Sequence, residues 1–267
     1  MLHHYTSINS LALILNSKSI RFNRLDNVDD LTETTFLPTR FRSYYFVSCW
    51  TKSEQENISL WHMYTKMKGV KISFPDTPFV LHHLKPDQFT EITLKSEIKF
   101  PVSSSNMILT HSTGFKFIFV PYDTNFNSFD VIYCHDNEQR IKSSFLSSID
   151  VNNTKRYTIN NETPALVKNS IWTFQNECRF ILKLLPVSII DQFGRKHNAE
   201  DLLQSLSVEQ QHFDIPLNEN ILDNIVVTLG PDTTEADRII VQLLLDKYTD
   251  NGTVYASSLT GKIKPTQ

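Results

Sequence analysis

The chain has 267 residues, a formal net charge of −3 and three cysteines, and 40% of its residues are hydrophobic. This composition is typical of a globular protein, and the small negative charge gives no overall attraction to a phosphate backbone. The cysteines are far apart in the sequence, which favours reduced thiols over a disulfide framework or a zinc site. The N-terminus lacks a basic and apolar leader, and no segment has the roughly 18 apolar residues of a membrane span, so we expect a cytoplasmic protein.

Glycine is scarce in this sequence. Six glycines among 267 residues are about a third of the usual share of roughly 7%. The sequence contains neither G-x-G-x-x-G nor G-x-x-x-x-G-K-[ST], which excludes the glycine-loop sites that bind dinucleotides and nucleoside triphosphates. The adjacent histidines His3 and His4 lack the spacing of a metal-binding motif, so we expect no metal.

Strands and helices alternate along the chain, which we expect to form a single α+β domain over residues 1–267. The first predicted elements are a strand over residues 3–6, a helix over 7–16, a strand over 19–23, an acidic loop over 25–33, and strands over 44–50 and 70–74. The later ones are strands over 89–100, 114–122 and 129–134, a helix over 136–149, a polar stretch over 151–161 within a loop over 150–163, and a short helix that begins at Thr163-Pro164. The last ones are a strand over 225–229, a helix that Thr234 to Asp237 cap, and a strand over 254–257.

One further helix is predicted between the strands over 44–50 and 70–74. The motif Ser53-Glu54-Gln55-Glu56 predicts a capping box, in which the hydroxyl and the carboxylate bind the free amides of the first helical turn. The helix runs to about Lys66, and Gly69 ends it. Its buried face is predicted to consist of Ile58, Trp61 and Tyr64 or Thr65.

A carboxylate and a guanidinium stand close together in an apolar run from Trp172 to Leu182. Strand alternation places Glu177 and Arg179 on one face of this run and Cys178 and Phe180 on the other. A charge in such a strand costs several kcal/mol unless it is paired or used. One interpretation is a structural ion pair, in which Arg179 neutralises Glu177 or an acid elsewhere, and the other is a functional carboxylate.

A set of segments in a defined order carries a family resemblance. The segments are Leu2 to Ser7, Asp26 to Asp30, Phe46 to Trp50, Trp61 to Tyr64, Gly69 to Phe74, Trp172 with Glu177 and Arg179, and Ile225 to Gly230. Together they resemble the bacterial domain-of-unknown-function family DUF-2971 over nearly the whole chain. The usual acid of that family two positions before Glu177 is Gln175 here, so the strand carries one carboxylate where relatives often carry two.

That family is in turn similar to the ADP-ribosyltransferase superfamily, including the DNA-modifying toxins of the DarT type. Those proteins also begin with a His-aromatic-Thr strand and place a glutamate at the start of a late strand. The resemblance implies a split β core with flanking helices and β-rich elaborations. Such a core binds NAD without a glycine loop, in agreement with the scarcity of glycine.

The resemblance also implies roles for individual residues. Glu177 would hold the 2′-hydroxyl of the nicotinamide ribose and stabilise the oxocarbenium ion that forms as nicotinamide leaves. The implied cofactor-binding residues are His4 and Thr6 at the adenosine-side ribose or the nicotinamide amide, Ser48 on the second core strand, Trp61 or Tyr64 stacked on the nicotinamide ring, and Arg21 or Arg24 at the diphosphate. Lys155 and Arg156, in the loop before the Glu177 strand, would contact the acceptor.

Each of these residues also has a structural interpretation. His4 is then a half-buried histidine that bonds to the backbone, and Trp61 and Tyr64 belong to the core. The arginines are then solvated surface residues. The acids Asp29, Asp30 and Glu33 are interpreted as helix-start or turn residues, with a position bordering the site as the alternative.

The resemblance implies an NAD-dependent ADP-ribosyltransferase that acts as a toxin or a phage-defence effector, with RNA or DNA as the acceptor and a protein antitoxin as a partner. Nothing in the net charge supports a nucleic-acid acceptor, so local basic patches would have to bind it. The candidates are Arg21, Arg24, Arg40 and Arg42, and the pair Lys155 and Arg156. The alternatives are an NAD glycohydrolase that uses the same His4 and Glu177, and a non-catalytic binding or regulatory module.

Overall fold

The structure is a computed structural model that describes residues 1–35, 37, 40–88, 94, 96–144, 149–151, 154–156, 164–186 and 206–264. The helices are α1 (Ile8–Ser17), α2 (Thr32–Thr35), α3 (Ile58–Thr65), α4 (Asn137–Ser144), α5 (Glu219–Leu222) and α6 (Glu235–Tyr248). The strands up to residue 120 are β1 (Leu2–Thr6), β2 (Ser19–Arg24), β3 (Tyr45–Thr51), β4 (Val70–Phe74), β5 (His82–Leu84), β6 (Ile98–Phe100), β7 (Ile108–Thr110) and β8 (Lys116–Val120). The later strands are β9 (Phe129–Asp130), β10 (Ile132–Cys134), β11 (Ile149–Val151), β12 (Thr154–Arg156), β13 (Val167–Asn169), β14 (Glu177–Pro186), β15 (His212–Pro216), β16 (Val226–Leu229) and β17 (Thr253–Tyr255).

In the described part of the chain, one sheet contains eleven strands, and the molecule is of the mixed α and β type expected from the sequence. Its main path runs β17-β16-β4-β1-β3-β14-β8-β7, while β2, β9 and β15 pair off this path. The neighbours along the path are antiparallel except for β16 and β17, which are parallel. The long strands β3 and β14 are nearly all buried, which explains why their sequences are continuously apolar.

The sheet opens between its two central strands. Within the described strands, the ladder between β1 and β3 consists of the single pair His3 and Thr51. Further along the same edge of β3, the neighbouring strand is β2 instead of β1, and Asn23 pairs with Val47. The stretch of β3 from Ser48 to Trp50 therefore lies between two strand neighbours and forms one wall of a gap.

Two clusters of apolar side chains stabilise this arrangement. The larger one packs the strands against α1 and α6 and is rich in aromatic rings, such as Phe79, Phe126 and Phe180, whose centroids are 4.9–5.7 Å apart. The smaller one joins Tyr5 of β1 to Leu60, Trp61 and Met67 around α3. It fixes α3 beside the opening of the sheet.

The predicted capping box at residues 53–56 is wrong. Helix α3 begins after Asn57, whose side chain accepts hydrogen bonds from the amides of Ser59 and Leu60. The Ser53 hydroxyl instead donates to the carbonyl of Gln55, at 3.2 Å. Asn57 is itself a favourable capping residue and lies directly before the helix, four positions after Ser53, so its side chain reaches the free amides.

Glu56, the predicted partner in that box, has a different task. Its carboxylate accepts hydrogen bonds from the Trp61 indole at 2.9 Å, from the Ser257 hydroxyl at 2.5 Å and from the Ser258 amide at 2.7 Å. Glu56 thus binds the C-terminal segment to α3. The predicted buried face of this helix is also partly wrong, because the Ile58 side chain is 53% exposed while Leu60, Trp61 and Thr65 are buried.

The helix predicted over residues 136–149 is shorter in the structure. It ends at Ser144, and Ile149 begins a strand that forms a hairpin with β12 inside the predicted polar loop. The short helix predicted from Thr163-Pro164 is a 3-10 turn, Pro164–Leu166, followed by β13, and Thr163 lies outside the described residues. Of the strand predicted over 89–100, the structure describes the end as β6, while residues 89–93 lie outside the described part.

Several local predictions are confirmed. Ser7 caps α1, and Thr234 with Asp237 forms a capping box at the start of α6. Strand β14 begins at Glu177, so this glutamate stands at the start of a late strand as the resemblance implies. In the described residues, no helix has the length and hydropathy that a membrane crossing requires.

Candidate functional site

A cleft of about 330 Å³ opens where β1 and β3 separate. Residues His3–Thr6 of β1 line one side, and residues Val47–Thr51 of β3 line the other. The remaining walls come from β2 and the turn after it, from α3, and from the segment that leads into β14. Their lining residues are Arg21, Asn23, Asn27, Val28, Asp29, Leu60, Tyr64, Lys168, Gln175, Glu177 and Arg179.

Glu177 stands at the first position of β14 because the chain turns sharply just before it. Asn176 has a φ of 42°, the left-handed conformation that asparagine tolerates better than most residues. Its carbonyl accepts a hydrogen bond from the Thr51 hydroxyl at 2.9 Å, and Glu177 lies directly opposite Thr51 in the ladder. The Glu177 amide donates to the Tyr133 hydroxyl at 2.8 Å. These contacts fix the carboxylate at the bottom of the cleft.

The Glu177 carboxylate belongs to a buried cluster of four charged side chains. Arg179 donates to both of its oxygens, with Nε 2.6 Å from Oε1 and Nη2 3.1 Å from Oε2. The same guanidinium binds both oxygens of Glu33, at 2.6 and 2.9 Å. The Lys168 ammonium lies 3.1 Å from Glu177 Oε2 and 3.3 Å from Glu33 Oε1. The formal charges of the four groups sum to zero, which is the condition under which buried charges are tolerated.

This cluster keeps Glu177 ionised. Burial alone would raise the pKa of the Glu177 carboxyl, but the positive charges of Arg179 and Lys168 outweigh it and lower the pKa to about 2. The side chain is 7% exposed, whereas those of Arg179 and Glu33 are fully buried. The structural ion pair considered from the sequence is therefore present, and its carboxylate also lines the cleft.

Two members of the cluster were not identified from the sequence. Glu33 was interpreted as a helix-start or turn residue, and it does lie in the first turn of the short helix α2. Its fully buried carboxylate nevertheless bonds across a sequence separation of 146 residues to Arg179. Lys168 lies in the short strand β13, between Val167 and Asn169, where one lysine gives no signal. The long-range pairing of the strands brings these charges together, and local patterns do not report it.

Gln175 connects this cluster to the mouth of the cleft. Its carbonyl oxygen accepts a hydrogen bond from the Lys168 ammonium at 2.7 Å, and its amide nitrogen donates to the Tyr64 hydroxyl at 2.8 Å. The Tyr64 hydroxyl in turn donates to Asp29 at the rim of the cleft. A carboxylate at position 175 would accept from Lys168 but would have no proton to give to Tyr64. Glutamine therefore suits both neighbours at once.

His4 lines the opposite wall of the cleft. Its Nδ1 is 3.0 Å from the carbonyl oxygen of Cys49, and its ring packs against Trp50 at a centroid distance of 5.2 Å. Burial lowers the pKa of His4, so the ring is neutral near pH 7. We predicted from the resemblance that the strands carrying His4 and Glu177 lie side by side, and this is wrong, because β3 lies between them. Thr51 pairs with both His3 and Glu177, so the backbones of His3 and Glu177 are two strand spacings, about 10 Å, apart.

Of the two aromatic residues considered as a platform for a flat ring, Tyr64 lines the cleft and is 36% exposed. Trp61 does not line it. The Trp61 side chain is fully buried in the smaller core cluster, and its ring meets Tyr5 edge-on at 4.8 Å. Leu60 and Tyr64 are four residues apart on the face of α3 that lines the cleft, whereas Trp61 lies about 100° further round the helix and points into the core.

The remaining residues implied by the resemblance differ in their surroundings. Thr6 lines the cleft, and so does Ser48, whose buried hydroxyl accepts a hydrogen bond from the Trp50 indole at 2.9 Å. Arg21 also lines it, but its guanidinium donates two hydrogen bonds to Asp214. Nε is 2.9 Å from Oδ1, and Nη2 is 3.0 Å from Oδ2. Arg24 is held in the same way by Asp26. The backbones of Lys155 and Arg156 belong to β12, and their side chains lie outside the described residues.

Comparison of the chain with family models, with curated proteins and with solved structures gave no significant match. Across the residues that the structure describes, no three His, Cys, Asp or Glu side chains are grouped as a metal site would require. The cleft is therefore characterised by its own geometry: an opening in a sheet, a fixed and ionised carboxylate at the bottom, a neutral histidine on one wall and an exposed tyrosine on another.

Proposed function

We propose that the chain is an NAD-dependent ADP-ribosyltransferase that binds the nicotinamide end of NAD in the cleft between β1 and β3. The observation that carries this proposal is that Glu177, His4 and Tyr64, from three separate elements, line one cleft. A volume of about 330 Å³ lies at the lower end of the roughly 300–1,000 Å³ of small-molecule sites and suits a nicotinamide ring with its ribose. Arg21 and Asn23 line the side along which the rest of the dinucleotide would extend.

The proposed reaction needs a fixed negative charge beside the ribose. The bond between C1′ and the nicotinamide nitrogen breaks with both electrons leaving on nicotinamide, and positive charge develops on the ribose. An acceptor atom then bonds to C1′ and loses its proton to solvent. The ionised Glu177 carboxylate stabilises that positive charge, and loss of one such preorganised group typically costs about 2.7–4 kcal/mol of barrier. Tyr64 orients the cationic ring by stacking, an effect of roughly 0.5–2 kcal/mol.

The hydrogen bonds of Glu177 leave room for a ligand. A carboxylate has about four acceptor positions, and Arg179 and Lys168 use three of them. One acceptor position therefore stays open to a ribose hydroxyl that enters the cleft. The carboxylate keeps its two cations meanwhile and stays ionised.

The identity of the acceptor and the biological role follow from the family resemblance and not from the cleft. On that basis we propose RNA or DNA as the acceptor, a role as a toxin or phage-defence effector, and a protein antitoxin as a partner. Membership of DUF-2971 and of the ADP-ribosyltransferase superfamily is likewise part of this proposal. It rests on the ordered motifs of the sequence and on the open sheet that accompanies them.

A non-catalytic NAD-binding module is the second candidate, and one observation favours it. Both oxygens of Glu177 are held by Arg179, and a carboxylate neutralised in this way stabilises a nearby positive charge less than a free one. A glycohydrolase would use the same residues with water as the acceptor. These alternatives differ in their products, so one experiment separates them.

The test is to incubate the purified protein with NAD labelled in the adenylate phosphate together with RNA, DNA or a cell extract. Label on nucleic acid supports the proposal, free ADP-ribose as the sole product supports the glycohydrolase, and no turnover despite NAD binding in calorimetry supports the binding module.

Tyr64→Ala should weaken NAD binding by roughly 2- to 30-fold, which corresponds to the stacking energy. Met63→Ala is the matched control, because Met63 is exposed on the same helix and does not line the cleft. Equal NAD affinity in both variants would show that NAD does not bind in this cleft.

A further inference from the structure

A second concave surface lies beyond the C-terminal end of α3. It encloses about 600 Å³ and is lined by Lys68, Lys262 and Lys264 together with the turn over residues 231–233. We call this surface the basic concavity. Lys66 lies two residues before Lys68 on the same turn, and all four lysines are exposed.

Lysines outnumber acids in the lining of the basic concavity, which contains Lys68, Lys262 and Lys264 and one acid, Asp232. Among the described residues, none of the four has an ion-pair partner, whereas Lys18 and Lys52 each bind a carboxylate. The arginines that the sequence suggested as a basic patch differ as well, since Arg21 and Arg24 are held by Asp214 and Asp26. A local excess of positive charge therefore stands on a chain whose net charge is −3.

The backbone that presents these lysines is fixed in several places. Lys66 and Met67 both have positive φ angles, 50° and 64°, which non-glycine residues adopt at some energetic cost. The Met67 carbonyl accepts a hydrogen bond from the Asp232 amide at 3.0 Å, and the Met67 side chain is buried. Ile263, between Lys262 and Lys264, packs against the same small core cluster. The charges are thus arranged before any ligand arrives.

We infer that the basic concavity binds the phosphate backbone of a single-stranded nucleic acid and holds it as the acceptor for the cleft. This inference rests on the proposed function. Three or four cations spread around such a volume match several successive phosphates better than a single anion. A concave surface also suits a chain that enters it better than a flat lipid bilayer. Lys68 follows Tyr64 of the cleft by four residues, which limits the separation of their backbones to about 14 Å, so one strand can contact both.

The experiment compares two triple variants with the same change in charge. Lys68, Lys262 and Lys264 are replaced by glutamine in one, and the exposed lysines Lys85, Lys99 and Lys116 are replaced by glutamine in the other. Binding of fluorescein-labelled single-stranded RNA and DNA is measured by anisotropy over a range of salt concentrations. For three lost phosphate contacts, the slope of log K against log salt should fall in magnitude by about 2 in the first variant and remain at the wild-type value in the second.

Equal slopes in the two variants would overturn the inference, as would a wild-type protein that binds anionic vesicles but no oligonucleotide. The NAD affinity of each variant is measured in parallel and should equal that of the wild type. If the wild type binds NAD but no oligonucleotide, the basic concavity loses its assignment while the proposed cleft stands. If it binds oligonucleotide through the concavity but never NAD, the assignment as an acceptor site is wrong, and so is the proposed function.

Discussion

Gln175 stands where the proposed family resemblance implies a second carboxylate, and its contacts favour an amide at that position. Two acids and two bases already share the buried cluster beneath it. A third carboxylate would leave the cluster with an excess negative charge, which is costly where water cannot reach. The amide gives Lys168 an acceptor without adding charge and gives Tyr64 a donor.

Replacing Gln175 by glutamate should therefore destabilise the protein by about 1–3 kcal/mol, because a charged group is buried and the bond to Tyr64 is lost. NAD affinity should fall as well, since Tyr64 loses the contact that orients its ring. Urea unfolding and calorimetry measure the two effects. Gln211→Glu, an exposed surface change, is the control for the added charge alone. A Gln175→Glu variant as stable as the wild type would show that the cluster tolerates a third acid.

Glu177→Gln is the most direct test of the proposed chemistry, but the structure changes what it measures. Removing the charge leaves Arg179 and Lys168 opposite Glu33 alone, and breaking a buried ion pair from one side typically costs about 3–5 kcal/mol. We expect a folded but less stable protein whose transfer rate falls on the order of 10²–10³. The rate must be measured under conditions where circular dichroism shows the variant to be folded. Glu219→Gln, which breaks the exposed pair with Lys18, should leave the free energy of unfolding close to that of the wild type. Full transfer activity in the folded Glu177→Gln protein would contradict the assigned role.

At the scale of elements, α3 joins the cleft to the rest of the fold. Its N-terminal residue Asn57 caps the helix and also donates from its side-chain amide to the carbonyl of Phe174, at 2.6 Å. Phe174 immediately precedes Gln175, so the start of α3 is tied to the segment that leads into β14. Glu56 ties the same end of the helix to Ser257 and Ser258. The position of Tyr64 therefore depends on contacts at the far end of its own helix.

Asn57→Ala should lower the free energy of unfolding by about 1 kcal/mol, within a range of 0.5–2, because it removes the cap and the bond to Phe174. Ser53→Ala is the control, since the sequence assigned the cap to Ser53 while the structure gives it only a bond to Gln55. That change should remain within about 0.5 kcal/mol. Chemical denaturation of the two variants checks the assignment directly. A larger effect at Ser53 than at Asn57 would show that Ser53 caps the helix after all.

The sequence predicted most central elements well and placed Glu177 at the start of its strand, because long apolar runs and strong caps are local signals. It did not predict which residue caps a helix when two candidates lie within one turn of its start, as with Ser53 and Asn57. It also missed Glu33 and Lys168, whose roles depend on contacts with β14 that strand pairing creates. The order of β1, β3 and β14 is likewise a long-range property, and the expectation that β1 and β14 are neighbours failed for that reason.

For the whole molecule, the buried charges predict how stability depends on pH. The pKa of Glu177 is about 2 in the folded protein, below its ordinary value of 4.5. A depressed pKa contributes stability that is fully present above pH 4.5 and is lost as the pH falls toward 2. Burial lowers the pKa of His4 in the same way, so protonation of that ring below about pH 6.5 also disfavours the folded state.

We therefore expect the free energy of unfolding to decline from about pH 6 downward, with the steepest loss below about pH 4.5. A series of urea denaturations at different pH values measures the curve. His4→Gln should reduce the decline in the free energy of unfolding between about pH 6.5 and 5. It should leave the loss below about pH 4.5 unchanged. A wild-type curve that is level from pH 6 to pH 3 would mean that neither group is paired and buried as described.

The opening between β1 and β3 leaves part of a strand edge without a strand beside it. The carbonyl of Cys49 points into the cleft, where His4 contacts it, and in an extended strand the amide of a residue points the same way as its carbonyl. One donor and one acceptor of the peptide backbone thus face the cavity together. A primary carboxamide, such as that of nicotinamide, carries the complementary acceptor and donor and pairs with such an edge as a short peptide strand does. Under the proposed function, the main chain of Cys49 would select an amide over an acid at this position, whatever side chain residue 49 carries.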